Sequence, residues 1–131
     1  MAARVLDTNV VSYVLRRHSL ASSYLPHLQG HTLAISFMTA AELAEWGLGA
    51  RWGPARFARM EMTLRSYVVV PSSPELCRQW ADIRFQRRHQ PIGVADAWIA
   101  STALLYGCEL LTHNPSDFQG IAGLAIITEA C

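Results

Sequence analysis

Lysine is absent from this sequence of 131 residues, and all eleven basic residues are arginine. This absence excludes a P-loop, a Schiff-base enzyme and a phospho-receiver site, because each of them needs a lysine. Cysteine is scarce: Cys77, Cys108 and Cys131 share no close spacing. Neither a disulfide framework nor a zinc site is predicted, because both require clustered or regularly paired ligands.

Long apolar runs are also missing. The best stretch, residues 97–108, lies between Asp96 and Glu109 and is too short to span a bilayer. Asp7 interrupts the apolar start of the chain, so a signal peptide is not expected. We therefore predict a cytoplasmic protein.

The composition is that of a compact globular chain. Hydrophobic residues make up 51% of the sequence and charged residues 16%, which is ample material for one core. There is no internal repeat, low-complexity tract or linker. We predict a single domain over residues 1–131.

Short β-branched runs alternate with longer helical patterns. Strands are predicted at residues 4–6, 32–36, 67–70, 109–112 and 125–128. Helices are predicted at residues 10–17, 19–29, 39–49, 54–65, 74–89 and 94–106. This alternation predicts an α/β fold in which helices cover both faces of a mostly parallel sheet of about five strands. The apolar runs Val68 to Val70 and Leu110 to Leu111 are typical of central parallel strands.

Four acidic residues follow predicted strands or begin predicted helices. Asp7 comes directly after the first strand, and Glu42 lies in the first turn of the helix after the second. Asp96 begins the most apolar helix, and Asp117 lies a few residues past the fourth strand. Because right-handed crossovers bring the strand C-termini to one edge, we expect these carboxylates to cluster there.

A carboxylate cluster favours a divalent cation. Like charges that lie close together repel one another, which costs free energy. One or two bound Mg²⁺ or Mn²⁺ ions remove that cost. Such a cation orients a phosphodiester and activates a water, which predicts phosphoryl chemistry. Neutral hydrogen-bonding residues beside the acids are expected to orient the carboxylates or the metal's waters. They are Thr8, Asn9, Thr112 and Asn114.

Each acid also has a structural alternative. Asp7 fits a helix N-cap, and Thr39 to Glu42 fits a capping box. Residues 114–117 fit a simple turn. Asp96 favours a functional role, because it is the only charge between His89 and Glu109. Four coincidental caps and turns on one edge form the weaker explanation.

The segments that carry these acids resemble the motifs of PIN-domain ribonucleases, in order and spacing. In this sequence they read VLDTNVV at 5–11, TAAEL at 39–43, DAWIA at 96–100 and THNPSDF at 112–118. Among such proteins the chain is most similar to the VapC toxins of bacterial toxin–antitoxin pairs. The fourth motif is specific by itself, whereas each of the first three is weak alone and the three are strong as a series.

The resemblance implies a three-layer α/β/α fold and Mg²⁺- or Mn²⁺-dependent RNA cleavage that leaves a 5′-phosphate. It implies that Asp7 and Asp96 are the main metal ligands and that Glu42 and Asp117 complete the site, often through water. It also implies a homodimer and an antitoxin that buries the acidic site, commonly with a basic side chain. His113 fills a variable position of the fourth motif; a general base is one interpretation and a packing role is favoured.

Contacts to RNA are predicted at Arg87 and Arg88, since arginine binds phosphate through two donors. Their spacing of three and four residues from Arg84 predicts that the three arginines share one helix face. Aromatic residues that stack on bases are a second possibility, although a place in the core is favoured for them. These residues are Tyr13, Trp46 and Trp52. The helical hairpin at 39–65, rich in apolar residues, predicts a surface for a second copy or an antitoxin.

Several alternative functions were compared. An aspartate-nucleophile phosphatase is disfavoured, because Asn9 stands where its second aspartate is required. A PIN-like module that binds RNA or protein without cleavage is disfavoured, because all four acids are present. A housekeeping RNA-processing nuclease and a purely structural metal site remain open alternatives.

Overall fold

A computed structural model of the chain describes residues 3–131; residues 1 and 2 of the predicted domain lie outside the described residues. The first half of the chain forms β1 (Ala3–Leu6), α1 (Thr8–Leu15), α2 (Ala21–Leu28), β2 (Thr32–Ser36), α3 (Phe37–Gly49) and α4 (Pro54–Leu64). The second half forms β3 (Val68–Val70), α5 (Pro74–Gln86), α6 (Val94–Leu105), β4 (Glu109–Leu111), a 3₁₀ turn (Pro115–Phe118) and β5 (Ile126–Ile127). In the described part no helix is both long and apolar enough to cross a bilayer.

The five strands form one parallel sheet in the order β3-β2-β1-β4-β5. The predicted α/β fold with a parallel sheet of about five strands is therefore confirmed. The chain winds to one side of β1 with β2 and β3 and to the other side with β4 and β5. The C-terminal ends of β1 and β4 consequently form the topological switch point, where α/β sheets open a crevice for ligands.

Alternating residues of the strands pack in two separate hydrophobic cores, one on each face of the sheet. Val5 and its neighbour Leu110 pack with α5 and α6 on one face. Leu6 and its neighbour Leu111 pack with α1 to α4 on the other face. Successive side chains of a strand point to opposite faces, so one sheet supports both helical layers. The expected three-layer α/β/α arrangement is confirmed.

The position predicted for the valine run is wrong. The strand β3 lies at the edge of the sheet, where Val68 is 53% exposed and Val69 42% exposed. A run of β-branched residues indicates a strand but cannot indicate how many neighbours the strand has. The two-sided burial of a central strand is instead found at Leu110 and Leu111.

The start of α3 also differs from the prediction. Ser36 caps this helix, and its side chain accepts a hydrogen bond from the N–H of Met38 at 3.0 Å. Thr39 therefore lies inside the helix, the capping-box interpretation is wrong, and Glu42 lies in the second turn rather than the first. Because residues three apart share a helix face, Thr39 and Glu42 can both point toward the neighbouring α1.

Candidate active site

Asp7 occupies the junction between β1 and α1. It is 5% exposed, and its N–H donates to the carbonyl of Leu111 at 2.8 Å, which ties this junction to β4. Its carboxylate accepts from the N–H of Thr8 through Oδ1 and from the hydroxyl of Thr112 through Oδ2, both at 2.7 Å. Asp7 is thus the helix cap that the sequence suggested, and its side chain is held at the switch point.

Thr8 connects this carboxylate to Glu42. Its hydroxyl donates to Oε1 of Glu42 at 2.7 Å and lies 3.0 Å from the hydroxyl of Thr39. Since one hydroxyl has one proton, Thr39 is the donor in the second bond. Sequence reasoning missed this role of Thr39, although its spacing of three residues from Glu42 was available as a signal.

Asp96 lies in the first turn of α6, whose N-cap residue Gly93 supplies no side-chain cap. Burial, as the largest cause, and the charges of Asp7, Asp117 and Glu42 together raise the pKa of the Asp96 carboxyl to about 6, and Arg87 acts in the opposite direction. Carboxylates interact in this way only when they lie near one another. The fold therefore brings together the four acids that the sequence singled out.

Asp117 lies on the 3₁₀ turn that follows β4, and its side chain is exposed. The preceding loop is fixed by the hydroxyl of Thr112, which accepts from the N–H of Asn114 at 3.0 Å while it donates to Asp7. One buried hydroxyl thus organises both the Asp7 carboxylate and the segment that leads to Asp117.

Burial also raises the pKa of Asp7. The hydrogen bonds from Thr112 and Thr8 oppose this effect, and the charges of Glu42 and Asp117 reinforce it. Neutral hydroxyl and amide donors therefore hold a site in which negative charge is concentrated. A cation bound beside these carboxylates would stabilise the ionised form of each of them.

The other predicted orienting residues have different outcomes. Thr8 and Thr112 contact the acids as expected, and Asn114 contributes through its backbone N–H rather than its amide. Asn9 is exposed on α1, and within residues 3–131 its side chain forms no hydrogen bond.

Arg87 is buried rather than displayed on a helix face. It is 8% exposed, and its guanidinium donates to the carbonyls of Gln90 at 2.7 Å, Asp117 at 3.2 Å and Gln119 at 2.8 Å. Because α5 ends at Gln86, Arg87 turns inward and does not continue the helix face that the prediction assumed. This arginine braces the turn that carries Asp117, and a phosphate contact through it is not supported.

Arg88 is exposed, with its guanidinium 4.1 Å from the ring centroid of Phe85. A phosphate contact at Arg88 stays a prediction. His113 shares a hydrogen bond of 2.6 Å with the hydroxyl of Tyr24 and lies edge-on to the ring of Tyr13. This environment favours the packing role for His113.

The predicted aromatic and apolar surfaces are divided between core and solvent. Tyr13, Trp46 and Trp52 pack against the core beneath α1 to α4, as the favoured interpretation expected. In the hairpin of α3 and α4, Met60 is buried, whereas Leu48 is 71% exposed and Met62 64% exposed. A partner surface on this hairpin stays a prediction.

The donor set of the site consists of carboxylate oxygens, which suit Mg²⁺ or Mn²⁺. In the part of the chain that the structure describes, no three acidic, histidine or cysteine side chains are arranged to hold a metal as they stand. Mg²⁺ commonly binds through one or two carboxylates and keeps several of its waters. The residues therefore fit a hard divalent cation that is held partly through water, and do not fit a fully enclosed protein cage.

Comparison with known families gives one match to a family model. The PIN domain model matches residues 4–124, which is nearly the whole chain and includes all four acids.

Individual proteins of known sequence or structure agree with this match. The chain is 30% identical over 125 residues to the protein named Ribonuclease VapC1 of Haemophilus influenzae, with 92% of each chain covered. It is similar to the solved structure of VapBC-1 from nontypeable Haemophilus influenzae, with a TM-score of 0.82, 28% identity and coverage of 96% of this chain and 97% of that one. It is also similar to a toxin-antitoxin complex from Klebsiella pneumoniae, with a TM-score of 0.78, 25% identity and coverage of 95% and 96%.

Proposed function

Because the chain belongs to the PIN domain family, we propose that it is an endoribonuclease that acts as the toxin of a toxin–antitoxin pair. The observation that carries this proposal is the convergence of Asp7, Glu42, Asp96 and Asp117 at the switch point of the sheet. The relatives named as ribonucleases and the solved toxin-antitoxin complexes support it. The proposal takes residues 1–131 as a single nuclease domain.

We propose that the enzyme depends on Mg²⁺ or Mn²⁺. Asp7 and Asp96 would hold the cation, and Glu42 and Asp117 would complete the site directly or through water. A divalent cation, when bound, supplies an activated water and neutralises the charge that develops on the departing oxygen. The raised pKa of Asp96 supports this assignment, because a carboxyl that is hard to ionise alone gains most from a cation.

The residues of the chain perform the positioning. Thr112 and Thr8 hold the two oxygens of Asp7 in one orientation, and Thr8 also fixes Glu42. Arg87 braces the turn that carries Asp117. A site whose groups are already oriented needs little reorganisation when the reaction occurs, which is the main source of catalysis in phosphoryl chemistry.

The proposed product has a 5′-phosphate end. In this hydrolysis the oxygen of water adds to phosphorus, and the bond between phosphorus and the 3′ oxygen breaks. The 3′ oxygen leaves and takes up a proton, so the phosphate remains on the 5′ end of the downstream fragment.

The proposed partners follow from the toxin assignment. A cognate antitoxin would cover the acidic site, and a basic side chain among the four carboxylates would take the place of the cation. We also propose a homodimer and a cytoplasmic location. Induced expression of the wild type should arrest bacterial growth, and co-expression of an antitoxin encoded beside it should restore growth. A housekeeping nuclease would give no arrest.

Cleavage of an end-labelled RNA pool tests the enzymatic function. The purified wild type is incubated with Mg²⁺, with Mn²⁺ and with chelator, and the new ends are identified by their sensitivity to a 5′-phosphate-dependent exonuclease. Asp96→Asn keeps the size of the side chain but removes its charge. The matched control is Asp82→Asn, which removes an exposed acid of α5 that is paired with Arg78.

We expect metal-dependent cleavage by the wild type and by Asp82→Asn, and loss of cleavage in Asp96→Asn. Equal cleavage by Asp96→Asn would contradict the proposed site. RNA binding by the wild type without cleavage under any metal condition would favour the non-cleaving module instead.

A further inference from the structure

A groove of about 560 Å³ runs between α1 and α4, away from the four acids. Its polar wall is formed by four arginines, Arg16, Arg17, Arg56 and Arg59, and we call it the arginine groove. Trp52 and Met60 contribute apolar surface to it. Among residues 3–131 no acidic residue lines this groove, although the whole chain has ten acids for its eleven arginines.

The groove depends on close packing between α3 and α4. A Cβ atom at Gly47 would lie 2.7 Å from the ring of Trp52 and 2.8 Å from that of Phe57, so only glycine lets these rings approach α3. Trp46 then packs edge-on against Trp52, with the ring centroids 4.9 Å apart. These rings form an apolar support on which Arg16 and Arg56 lie.

The arginines of the groove are exposed and have no acidic partner. In the described part of the chain the ion pairs involve other residues, and none of these four arginines takes part in one. The guanidinium of Arg56 lies 4.6 Å from the ring centroid of Trp52, and that of Arg16 lies 5.5 Å from that of Trp46. Stacking uses the face of a guanidinium and leaves its N–H edge available for the oxygens of a phosphate.

Two of these arginines occupy positions that disfavour arginine. Arg17 has a φ of 52°, in the left-handed region where glycine is preferred, directly after the end of α1. Arg56 lies in the first turn of α4, where the helix dipole disfavours a cation. Local backbone preferences therefore do not explain this concentration of positive charge, whereas a ligand of opposite charge does.

The wall of the groove also has an unused donor. The indole N–H of Trp52 is buried and has no hydrogen-bond partner, the one such side-chain group among the described residues. Buried polar groups are normally paired, so this unpaired donor is an exception, and it lies in the ring that supports the guanidinium of Arg56.

Two helices connect the acidic site with the residues of the groove and their aromatic support. Asp7 and Arg16 cap the two ends of the eight-residue helix α1, and the nine steps between them give a rise of about 13 Å at the usual 1.5 Å per residue. On α3, Trp46 follows Glu42 by about one helical turn. A nucleic acid strand whose phosphodiester lies at the four acids would therefore pass the arginine groove within a few nucleotides.

We propose that the arginine groove binds the phosphate backbone of the substrate RNA on one side of the cleaved bond. This proposal rests on the proposed ribonuclease function, and it assigns the RNA contact to α1 and α4 rather than to the arginines of α5. Four guanidiniums with stacked or exposed positions match the repeated negative charge of a nucleic acid backbone.

The salt dependence of binding tests the proposal without cleavage. A fluorescent single-stranded RNA that the wild type cleaves, or a single-stranded pool if none is found, is titrated with full-length protein in chelator, and its anisotropy is followed from 50 to 200 mM KCl. With four phosphate contacts, the affinity of the wild type should fall about 50-fold over this range. In Arg56→Gln/Arg59→Gln the fall should be about 7-fold, and binding at 50 mM KCl should be weaker than that of the wild type.

The matched control removes two exposed arginines that lie outside the groove lining. Arg51→Gln/Arg65→Gln makes the same change in net charge, and its salt dependence should equal that of the wild type. An equal loss in both double variants would mean that net charge alone acts, and it would overturn the proposal.

A second pair of variants separates binding from folding. Arg17→Gly and Arg51→Gly each replace an arginine in a left-handed conformation, with φ values of 52° and 57°, and both should leave the melting temperature equal or higher. Arg51 is outside the groove lining. Only Arg17→Gly should weaken RNA binding and reduce the slope of log affinity against log salt by about 0.7. Equal binding by both variants would overturn the proposal.

The outcomes for the groove and for the ribonuclease function are distinguishable. Cleavage and binding by the wild type, with neither changed by the groove variants, would overturn the groove and leave the nuclease intact. RNA binding that depends on the groove without any cleavage would support the groove and overturn the nuclease. If the groove variants bind RNA like the wild type but no longer retain a co-expressed antitoxin, this surface belongs to a protein partner. That result would overturn the proposal.

Discussion

At the acidic edge of the sheet, four carboxylates lie within reach of one another's charge, and those of Asp7 and Glu42 are held by threonine hydroxyls and a backbone amide. In the arginine groove, four guanidiniums lie exposed, and two of them rest on aromatic rings. Burial raises the pKa of Asp7 and Asp96, so negative charge there has an energetic cost. The arginines remain hydrated and have no comparable cost.

This difference indicates two kinds of ligand. Buried like charges around a small space favour one compact cation, because a single ion relieves all of them. Exposed charges spread along a groove favour an extended polyanion, because each contact releases a counterion and contributes separately. Substitutions in the two regions should therefore separate chemistry from RNA binding.

The largest effect is expected when charge is removed at the acidic edge. Asp7→Asn keeps an oxygen that accepts from the N–H of Thr8, and its amide can donate to the hydroxyl oxygen of Thr112, so that this second bond reverses direction, but the substitution loses a cation ligand. We expect the cleavage rate to fall about 100- to 1000-fold while RNA affinity in chelator is unchanged. Single-turnover cleavage and anisotropy measure the two quantities. A loss of RNA affinity as large as the loss of rate would remove the distinction between the two regions.

The next effect concerns the hydroxyl that orients Asp7. Thr112→Val keeps the shape of the side chain but removes the bonds to Asp7 and Asn114. We expect cleavage to fall about 10- to 100-fold, as for residues that orient metal ligands. Thr102→Val is the control, since this buried threonine bonds only to the carbonyl of Trp98 within α6. If both variants cleave alike, Thr112 has no role in positioning.

The brace under Asp117 should affect stability. Arg87→Gln removes a buried guanidinium that donates to three carbonyls, and we expect the free energy of unfolding to fall by about 2 kcal/mol. Arg88→Gln removes an exposed neighbour and should change it by less than about 0.5 kcal/mol. Urea unfolding measures both values. Equal stability of the two variants would contradict the role assigned to Arg87.

The smallest effect is a dependence of stability on pH and metal. Without metal, the pKa of Asp96 is about 6 in the folded protein, above its usual value of 3.8. The folded state therefore holds this proton more tightly than the unfolded state, and this contribution to stability is present below pH 4 and is lost as the pH rises through 6. Asp96→Asn has no carboxyl to titrate at this position, so it should not lose this stability as the pH rises.

The measurement is the melting temperature of both proteins in chelator at pH 4.5 and pH 7.5. At each pH the melting temperature of the wild type is subtracted from that of Asp96→Asn. This difference should be about 4 °C larger at pH 7.5 than at pH 4.5, a value that allows for solvent screening of the half-buried group. Added Mg²⁺ should stabilise the wild type more than the variant, because the cation binds the ionised form. A constant difference across pH would show that Asp96 does not carry this charge cost.

Local sequence patterns were sufficient for most of the fold. The predicted bounds of the helices and strands lie within about three residues of those in the structure, because apolar periodicity and turn residues act over short ranges. The edge position of β3 and the inward turn of Arg87 were not predictable in this way. Both depend on which segments become neighbours in the folded chain. The same short sequence pattern is compatible with an edge or a central strand, and with an exposed or a buried arginine.

The sequence by itself determined the alternation of strands and helices, the two-sided core and the four acids, because each of these depends on residue type and spacing along the chain. Only the tertiary structure decided that Thr8 links Asp7 to Glu42, that Thr112 serves two segments, and that Arg87 is buried. Only the tertiary structure also brought arginines from α1 and α4 into one groove. These features join residues far apart in sequence, and their positions depend on how helices pack on the sheet rather than on local preference.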